Sequence, residues 1–260
     1  MPGADLTLLI DAAREAGEIA SHFARGSARS WNKPGGAGPV TEADLAVNTM
    51  LERELRGARS DYGWLSEESQ DTDERLSRDR VFIIDPIDGT RSFIEGSDTW
   101  AHSLAIAEKG EVVAAVVYLP LRDKLYVAEK GGGAMLNDAA IRATDRGAVS
   151  GASVLAARPT MEARHWPGGV PDVRRSYRPS LAYRLSLVAE GRFDAMFTLR
   201  KTWEWDVAAG DLLLREAGAV TSDRGGGRLQ FNNADPRLEG MVTAGQKIHR
   251  SLTGALNKTS

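Results

Sequence analysis

The stretch Val81-Phe82-Ile83-Ile84-Asp85-Pro86-Ile87-Asp88-Gly89-Thr90 joins an apolar strand to a polar turn. The four apolar residues predict a strand that ends at Asp85. Pro86 fixes one backbone dihedral, and Gly89 permits a tight bend before a helix that begins at Thr90. Two carboxylates and a hydroxyl therefore lie on one rigid turn, which is typical of a divalent-metal site for phosphate chemistry.

A cation is needed in such a site because carboxylates repel a phosphate by about 4 kcal/mol for each close pair of like charges. Mg2+ fits best, since it prefers oxygen ligands. A calcium EF-hand loop starting at Asp85 is excluded, because its twelfth residue is Gly96 rather than a carboxylate. The Asp-x-x-Asp spacing also differs from the Asp-x-Asp of haloacid dehalogenase phosphatases. For an isolated Asp88-Gly89 pair, a capped turn is the structural alternative.

Composition limits the class of protein. With 260 residues, of which 42% are hydrophobic, the chain can bury a full core as one domain or as two packed halves. A formal net charge of -3 gives no electrostatic case for binding a nucleic acid polymer. The absence of cysteine excludes disulfides, thiolate nucleophiles and zinc-thiolate sites. Neither a signal peptide nor a membrane-spanning stretch is recognisable, so we expect a cytoplasmic protein without integral membrane association.

Hydrophobic periodicity predicts helices in the first part of the chain and strands in its middle. Residues 5–25 form an amphipathic helix, the glycine-rich loop 33–39 lacks regular structure, and Thr41 begins a second helix. The predicted strands are 81–84, 103–107, 112–118 and 124–128, with Lys109-Gly110 as a hairpin turn. The second half alternates strands 153–157 and 195–198 with helices 181–189 and 207–217, which indicates layered α/β packing.

Two further acidic segments accompany the metal turn. Glu67 and Glu68 directly follow an apolar residue and a serine, and Asp206 stands at the start of a predicted helix. Taken singly, each has a structural explanation, as solvated glutamates at the end of a helix and as an aspartate cap. Together with the turn after Val81 they indicate one catalytic constellation.

The chain resembles the inositol monophosphatase superfamily of Mg2+-dependent, lithium-sensitive phosphomonoesterases. The matching segments follow the family's order and are Pro39-Val40-Thr41-Glu42-Ala43-Asp44, Ser66-Glu67-Glu68-Ser69, Asp85 to Phe93, Trp205-Asp206-Val207-Ala208-Ala209-Gly210 and Glu216-Ala217-Gly218. The resemblance implies a layered α-β-α-β-α sandwich of the α/β class. Residues 1–145 would form a half with a mixed antiparallel sheet, and residues 146–260 a smaller α/β half.

The resemblance also implies two to three Mg2+ ions in each active site. Glu67, Asp85 and the backbone carbonyl of Ile87 would hold one ion. Asp85, Asp88 and Asp206 would hold a second ion between the phosphate and the leaving-group oxygen. Two such ions can polarise a phosphoryl group and lower the pKa of a bound water for in-line attack.

Further catalytic roles follow from the same resemblance. Asp44 with Glu67 would support a third, weaker ion. Thr90 would orient the attacking water with Asp44 as the acceptor of its hydroxyl, although Asp44 also fits a capping box with Thr41. The amides of Gly89 and Thr90 would bind phosphate oxygens.

Substrate choice is expected to depend on residues close before Asp206. Inositol monophosphatases usually carry a glutamate seven residues upstream of this aspartate, and this chain has Leu199 there. Arg200 and Lys201 suit a second anionic group better than a polyol. Ser180 would contact the substrate, although Pro179-Ser180 departs from the family's Gly-Ser/Thr pair. These residues make the chain similar to the CysQ-type 3'(2'),5'-bisphosphate nucleotidases, with adenosine 3',5'-bisphosphate as the lead substrate.

Several alternatives stay open at this point. The substrate can instead be inositol phosphate, histidinol phosphate or another sugar phosphate, and a non-catalytic sensor of phosphate ligands is the alternative of a different class. Arg200 and Lys201 can be surface charges, and Lys33 can contact metal-bound solvent or be a solvated loop residue. Trp203 and Trp205 can stack on a base or belong to the core. The expected partner is a small phosphorylated molecule, and a homodimer is the alternative to a single chain.

Overall fold

A computed structural model describes residues 3–24, 28–36 and 38–257. Residue 25 of the first predicted helix and residue 37 of the glycine-rich loop lie outside these ranges. The helices described are α1 (Ala4–Phe23), α2 (Glu42–Ala58), α3 (Thr90–Ile94), α4 (Leu181–Ala189), α5 (Glu204–Glu216) and α6 (Gln246–Leu256). The strands are β1 (Ser30–Asn32), β2 (Pro39–Thr41), β3 (Gly63–Ser66), β4 (Arg80–Asp88), β5 (Ala101–Glu108), β6 (Glu111–Leu119), β7 (Lys124–Glu129), β8 (Gly133–Leu136), β9 (Ala139–Ala140), β10 (Ala152–Leu155), β11 (Val173–Ser176), β12 (Ala195–Thr198), β13 (Thr202–Trp203), β14 (Val220–Ser222), β15 (Arg237–Leu238) and β16 (Met241–Ala244).

The larger sheet has seven strands in the order β3-β4-β5-β6-β7-β8-β9. Only β3 and β4 pair in parallel, and every later neighbour is antiparallel. The predicted turn at Lys109-Gly110 is confirmed, because both residues have positive φ between β5 and β6. Two consecutive positive φ values match the right-handed twist of a hairpin.

The smaller sheet has five strands in the order β11-β10-β12-β16-β14. Here β10 pairs in parallel with β11 and β12, while β16 runs antiparallel to β12 and β14. Two short ribbons, β1-β2 and β13-β15, complete the pairing within the described residues. The second sheet therefore mixes parallel and antiparallel neighbours, as expected for an α/β half.

Helices cover both sheets in alternating layers. Phe82 and Ile84 of β4 pack with the apolar residues of α1 and α2, whereas Val81 and Ile83 pack with those of α4 and α5. This two-sided burial explains why the strand is apolar without alternation. The smaller sheet packs one face on α4 and α5 and the other on α6. The predicted layered α-β-α-β-α sandwich is confirmed.

The structure corrects three local predictions. Strand β4 does not end at Asp85 but continues to Asp88. The segment 33–39 is not without regular structure, because residues 34–36 form a short 3-10 turn and β2 begins at Pro39. Helix α5 begins three residues before the predicted start at residue 207, so Asp206 lies inside its first turn. The division at residues 145 and 146 stays a prediction.

No described helix is both long enough and apolar enough to cross a membrane.

Candidate active site

A bulge in β4 brings two of the predicted metal ligands together. Asp85 pairs with Ser103 of β5 and Asp88 with Ala101, so two residues of β4 lie opposite one residue of β5. Side chains three positions apart in a regular strand point to opposite faces of the sheet. The extra residue re-aims the second side chain, so Asp85 and Asp88 can serve one site. Gly89 then turns the chain with φ of 99°, a conformation that favours glycine.

Asp206 joins this pair from the first turn of α5. Carboxylate oxygens of Asp85, Asp88 and Asp206 all lie within 4.8 Å of one another. The orientation of Asp206 is fixed at its Oδ2, which accepts hydrogen bonds from Thr202 Oγ1 at 3.0 Å and from the Trp203 amide at 3.4 Å. Residues 121 positions apart in sequence thus form one acidic cluster, from Asp85 to Asp206.

The cluster has the properties of a cation site. Asp85 Oδ1 is buried and has no hydrogen-bond partner among the residues that the structure describes. Burial, followed by the charges of Glu67 and Asp88, raises the pKa of Asp85 well above its usual value. Burial also raises the pKa of Asp88 to about 6 and that of Asp206 to about 7. A donor set made of carboxylate oxygens, whose pKa values are raised by burial, fits Mg2+.

Asp88 is anchored to the N-terminal end of α4. Its Oδ2 accepts hydrogen bonds from Ser180 Oγ at 2.6 Å and from the Ala182 amide at 2.5 Å. Ser180 is fully buried and also caps the helix, since its hydroxyl accepts from the Tyr183 amide at 3.0 Å. The described partners of the Ser180 hydroxyl are therefore protein groups, and its contact with a substrate stays a prediction.

Glu67 lies at the edge of the cluster in an ion pair. Its backbone amide donates to the Ile84 carbonyl at 3.1 Å, which places the residue beside the middle of β4, next to Asp85. Lys33 Nζ donates to Glu67 Oε1 at 2.8 Å and to Glu68 Oε1 at 2.6 Å. Lys33 is thus neither a solvated lysine nor free for phosphate in this structure. Burial raises the pKa of Glu68 to about 7.

Thr90 and Asp44 are joined as the resemblance implied. Thr90 Oγ1 lies 3.2 Å from Asp44 Oδ1 and 3.1 Å from the Ile87 carbonyl oxygen. Asp44 Oδ2 accepts from the backbone amide of Thr41 at 2.8 Å, and the capping box with Thr41 is complete. The two readings of Asp44 are compatible, because each of its oxygens serves one of them. Burial raises the pKa of Asp44 despite these hydrogen bonds.

The two cations that sequence analysis proposed for the substrate side are exposed. Lys201 Nζ lies 3.0 Å from Glu239 Oε1, and both side chains are 54% exposed, so this pair is weak. Arg200 is close enough to Asp206 for its charge to lower the pKa of that carboxyl against the larger effect of burial. The roles of Arg200 and Lys201 in binding a second anion stay predictions.

Arg184 is a cation that sequence analysis missed. It lies one helical turn after Ser180, on the same face of α4, and only 6% of the residue is exposed. Its guanidinium donates to the carbonyls of Ser180 and Pro179, both at 3.3 Å. Burial lowers its pKa, while the charges of Asp88 and Asp206 favour its charged form. The sequence signal that could have revealed Arg184 is its position four residues after Ser180, which places both side chains on the same face of the predicted helix.

The two tryptophans near Asp206 stack on each other. Their ring centroids lie 4.7 Å apart, with planes 8° from parallel. Trp205 is buried, and its carbonyl accepts from Ser103 Oγ at 3.0 Å, so it belongs to the core. Trp203 is 41% exposed and has the Arg237 guanidinium 5.5 Å from its ring centroid.

Comparison with known proteins places this geometry in a family. The profile of the inositol monophosphatase family matches residues 5–259. The chain belongs to this family. Its members are phosphatases, for which Mg2+ dependence and lithium sensitivity are general.

Individual relatives agree with this assignment over most of their length. The chain is 38% identical to an inositol-1-monophosphatase of Rhizobium meliloti over 233 residues, covering 85% of this chain and 86% of that protein. It is 33% identical to the Nus factor SuhB of Escherichia coli K12, covering 92% of this chain and 90% of that protein. An IMPase structure from Thermotoga maritima has a TM-score of 0.84 at 28% identity, covering 98% of this chain and 97% of that one.

Proposed function

We propose that this protein hydrolyses phosphomonoesters with Mg2+ held by Asp85, Asp88 and Asp206. The observation that carries the proposal is the meeting of these three carboxylates within 4.8 Å, with one buried oxygen of Asp85 left without a partner among the described residues. Glu67 and the Ile87 carbonyl complete a set for two to three ions. When bound, Mg2+ supplies Lewis-acid polarisation of the phosphoryl group and a more acidic water.

The side chains around the cluster orient the water that attacks phosphorus. Thr90 Oγ1 donates its proton to Asp44 Oδ1, so its lone pairs are free to accept a proton from that water. Asp44 is held by Thr41 and is the acceptor toward which the proton moves. The raised pKa of Asp44 makes it a better proton acceptor than an exposed carboxylate. Amides of Gly89 and Thr90 bind the phosphate.

For the substrate, we propose an inositol phosphate monoester as the first choice. Support comes from the name of the Rhizobium meliloti relative, an inositol-1-monophosphatase that matches 85% of this chain. The replacement of the family's usual glutamate by Leu199, which is buried, removes one expected partner for inositol hydroxyls. The expected substrate contact at the start of α4 matches the family pattern in part, because Ser180 is present but Pro179 replaces the usual glycine.

A 3',5'-bisphosphate nucleotide is the second candidate, and Arg184 favours it. Arg184 and Arg200 are close enough to repel each other, since the charge of Arg200 lowers the pKa of Arg184. Their nearby counter-charges are Asp88 and Asp206, which would hold the metal ion. A buried guanidinium without a counter-charge is costly, so a second anionic group on the substrate would stabilise it. Charge-assisted hydrogen bonds to phosphate are strong and specific for arginine.

The two substrates are distinguished by phosphate release from a panel assayed with Mg2+. The panel contains inositol 1-phosphate, adenosine 3',5'-bisphosphate, histidinol phosphate and fructose 1,6-bisphosphate. We expect the highest kcat/KM with inositol 1-phosphate. A preference for the bisphosphate nucleotide would establish the second candidate. Release from no member of the panel would favour a phosphate-ligand sensor over an enzyme.

The Arg184→Gln variant tests whether Arg184 contributes to the use of the bisphosphate nucleotide. If Arg184 binds a second anion, the variant weakens use of the bisphosphate by about 1.5 to 3 kcal/mol, the value of a charge-assisted hydrogen bond. Inositol 1-phosphate then changes little. Equal losses on both substrates show that Arg184 acts only on the fold. Arg228→Gln is the matched control, because Arg228 is exposed and pairs with Glu111 away from the acidic cluster.

A further inference from the structure

The bulge in β4 lies opposite one buried histidine. Pro86 and Ile87 occupy the two positions between the paired residues of β4, and His102 is the single residue facing them on β5. Pro86 has no amide hydrogen, so the backbone ladder is interrupted there. Its carbonyl is met by a side chain instead, with His102 Nδ1 at 2.5 Å from Pro86 O. A carbonyl only accepts, so Nδ1 is the protonated nitrogen.

The surroundings of His102 keep it neutral. The residue is fully buried, its ring meets Trp100 edge-on at 5.4 Å, and Tyr118 lies at 6.4 Å. Burial lowers the pKa of His102 to about 4. With the proton on Nδ1, the buried Nε2 has no hydrogen-bond partner in the described part of the chain. Leaving such a buried atom unpaired is costly, and an apolar residue at this position would avoid that cost.

The carbonyl of Pro86 is therefore held by a side chain. His102 Nδ1 donates to it, whereas the Thr90 hydroxyl, whose proton goes to Asp44, lies 3.1 Å from the carbonyl of Ile87. Fixing the oxygen of a peptide fixes the plane of that peptide. The plane of the peptide between Pro86 and Ile87 influences the direction in which Asp85 and Asp88 leave the strand, because this peptide lies between them.

We propose that His102 is a positioning residue for the metal site, acting through the carbonyl of Pro86 on the bulge that carries Asp85, Ile87 and Asp88. This inference rests on the proposed metal site and is independent of the substrate. The imidazole acts through its contact with the backbone of the bulge. The hydrogen bond from His102 keeps the carboxylates of Asp85 and Asp88 correctly oriented. Its loss is therefore expected to lower the affinity for the metal ion while the protein still folds.

The test compares three substitutions of His102. His102→Asn keeps an N–H donor close to the position of Nδ1. His102→Gln moves the donor by one methylene, and His102→Leu removes it. His249→Leu is the matched control, because it is the same substitution at a buried histidine of α6 that bonds Ser222, on the face of the smaller sheet opposite α4 and α5. Mn2+ binding to the metal-free proteins is measured from the EPR signal of the free ion, and unfolding is followed by calorimetry.

We expect His102→Leu to weaken Mn2+ binding by about tenfold or more, the usual effect of losing a residue that orients metal ligands. His102→Asn is expected to stay closer to the wild type than His102→Gln, although both are polar. His249→Leu is expected to lower the melting temperature, because it removes the hydrogen bond to Ser222, without changing Mn2+ affinity. This ranking separates an oriented donor from general packing.

Wild-type affinity in His102→Leu would overturn the inference. Equal affinities in the Asn and Gln variants would overturn it as well, and this comparison remains valid if His102→Leu does not fold. A wild-type protein that binds no Mn2+ would refute the proposed metal site, and with it the inference. If the wild-type protein binds Mn2+ and every His102 variant binds it with the same affinity, the inference fails and the proposed metal site stands.

Discussion

At the scale of single residues, Asp88 tests the metal site with the smallest change in shape. Asp88→Asn keeps the volume and can still accept from Ser180 and the Ala182 amide, but it removes a charge from the cluster. We expect the melting temperature to be retained and turnover to fall by about 100-fold or more. The loss of a metal ligand is expected to lower activity more than the loss of a residue that only orients a ligand.

The control for Asp88→Asn is Asp172→Asn, the same substitution at an exposed aspartate that pairs with Ser150. Phosphate release is measured for both variants with saturating Mg2+. An unchanged rate in Asp88→Asn would show that Asp88 is only a turn residue.

Thr90 separates orientation of water from binding of phosphate. Its hydroxyl lies between Asp44 and the Ile87 carbonyl. If it orients the attacking water, Thr90→Ala lowers kcat more than it raises KM, and Thr90→Ser restores most of the rate. Steady-state kinetics of the two variants decide the matter. A raised KM with kcat preserved would assign Thr90 to phosphate binding instead.

At the scale of elements, β4 and α5 bring together carboxylates whose pKa values are raised, and this has a predictable effect on stability. The pKa of Asp206 is about 7 in the folded chain, whereas an unfolded aspartate has a pKa near its usual 3.8. Between these values the folded protein binds more protons, so the free energy of unfolding of the metal-free protein falls as pH rises. The loss is complete above the folded pKa.

Asp206→Asn isolates this contribution. We expect the metal-free variant to melt at a higher temperature than the metal-free wild type at pH 7.5, and the gap to close toward pH 5. His102, whose lowered pKa acts in the opposite direction below about pH 6.5, is common to both proteins. Calorimetry at several pH values measures the gap. A gap that does not change with pH would contradict the raised pKa.

Elements with strong local signals were predictable from sequence. Helix α4 and strand β12 have the predicted bounds, because each is a mainly apolar segment, and Ser180 and Glu190-Gly191 flank the helix. The strands β13, β14 and β15 were missed, since two or three residues carry no period and depend on pairing with distant segments. The continuation of β4 to Asp88 was missed because a proline normally argues against a central strand.

Only some residues of the candidate site were predictable from the sequence. Its carboxylates come from short motifs in separate parts of the sequence, and the structure brings those of Asp85, Asp88 and Asp206 within 4.8 Å of one another, while their role as metal ligands stays a prediction. The bulge that explains how the first two meet was not visible, because it depends on the register of β5. Arg184 was missed because its closeness to Asp88 and Asp206 depends on the packing of α4 against β4 and α5, and His102 because its contact with Pro86 depends on the bulge.

At the scale of the whole molecule, the layers place the site where three elements meet. Strand β4 belongs to the larger sheet, and α4 and α5 lie between the two sheets. Asp88 is bonded to the start of α4, and Asp206 extends from the first turn of α5. Since the ligands come from both parts of the chain, the site forms only when the sandwich is assembled.

The most direct test of the metal-dependent mechanism is phosphate release from the four phosphomonoesters before and after chelation. Four acidic side chains and a phosphate dianion cannot share a site without neutralising cations, so we expect no release after exhaustive treatment with a chelator and full recovery when Mg2+ is restored. Ca2+ should not replace Mg2+, because its coordination is looser, and Li+ should inhibit as it does in the family. Full turnover in the chelated protein would contradict the account.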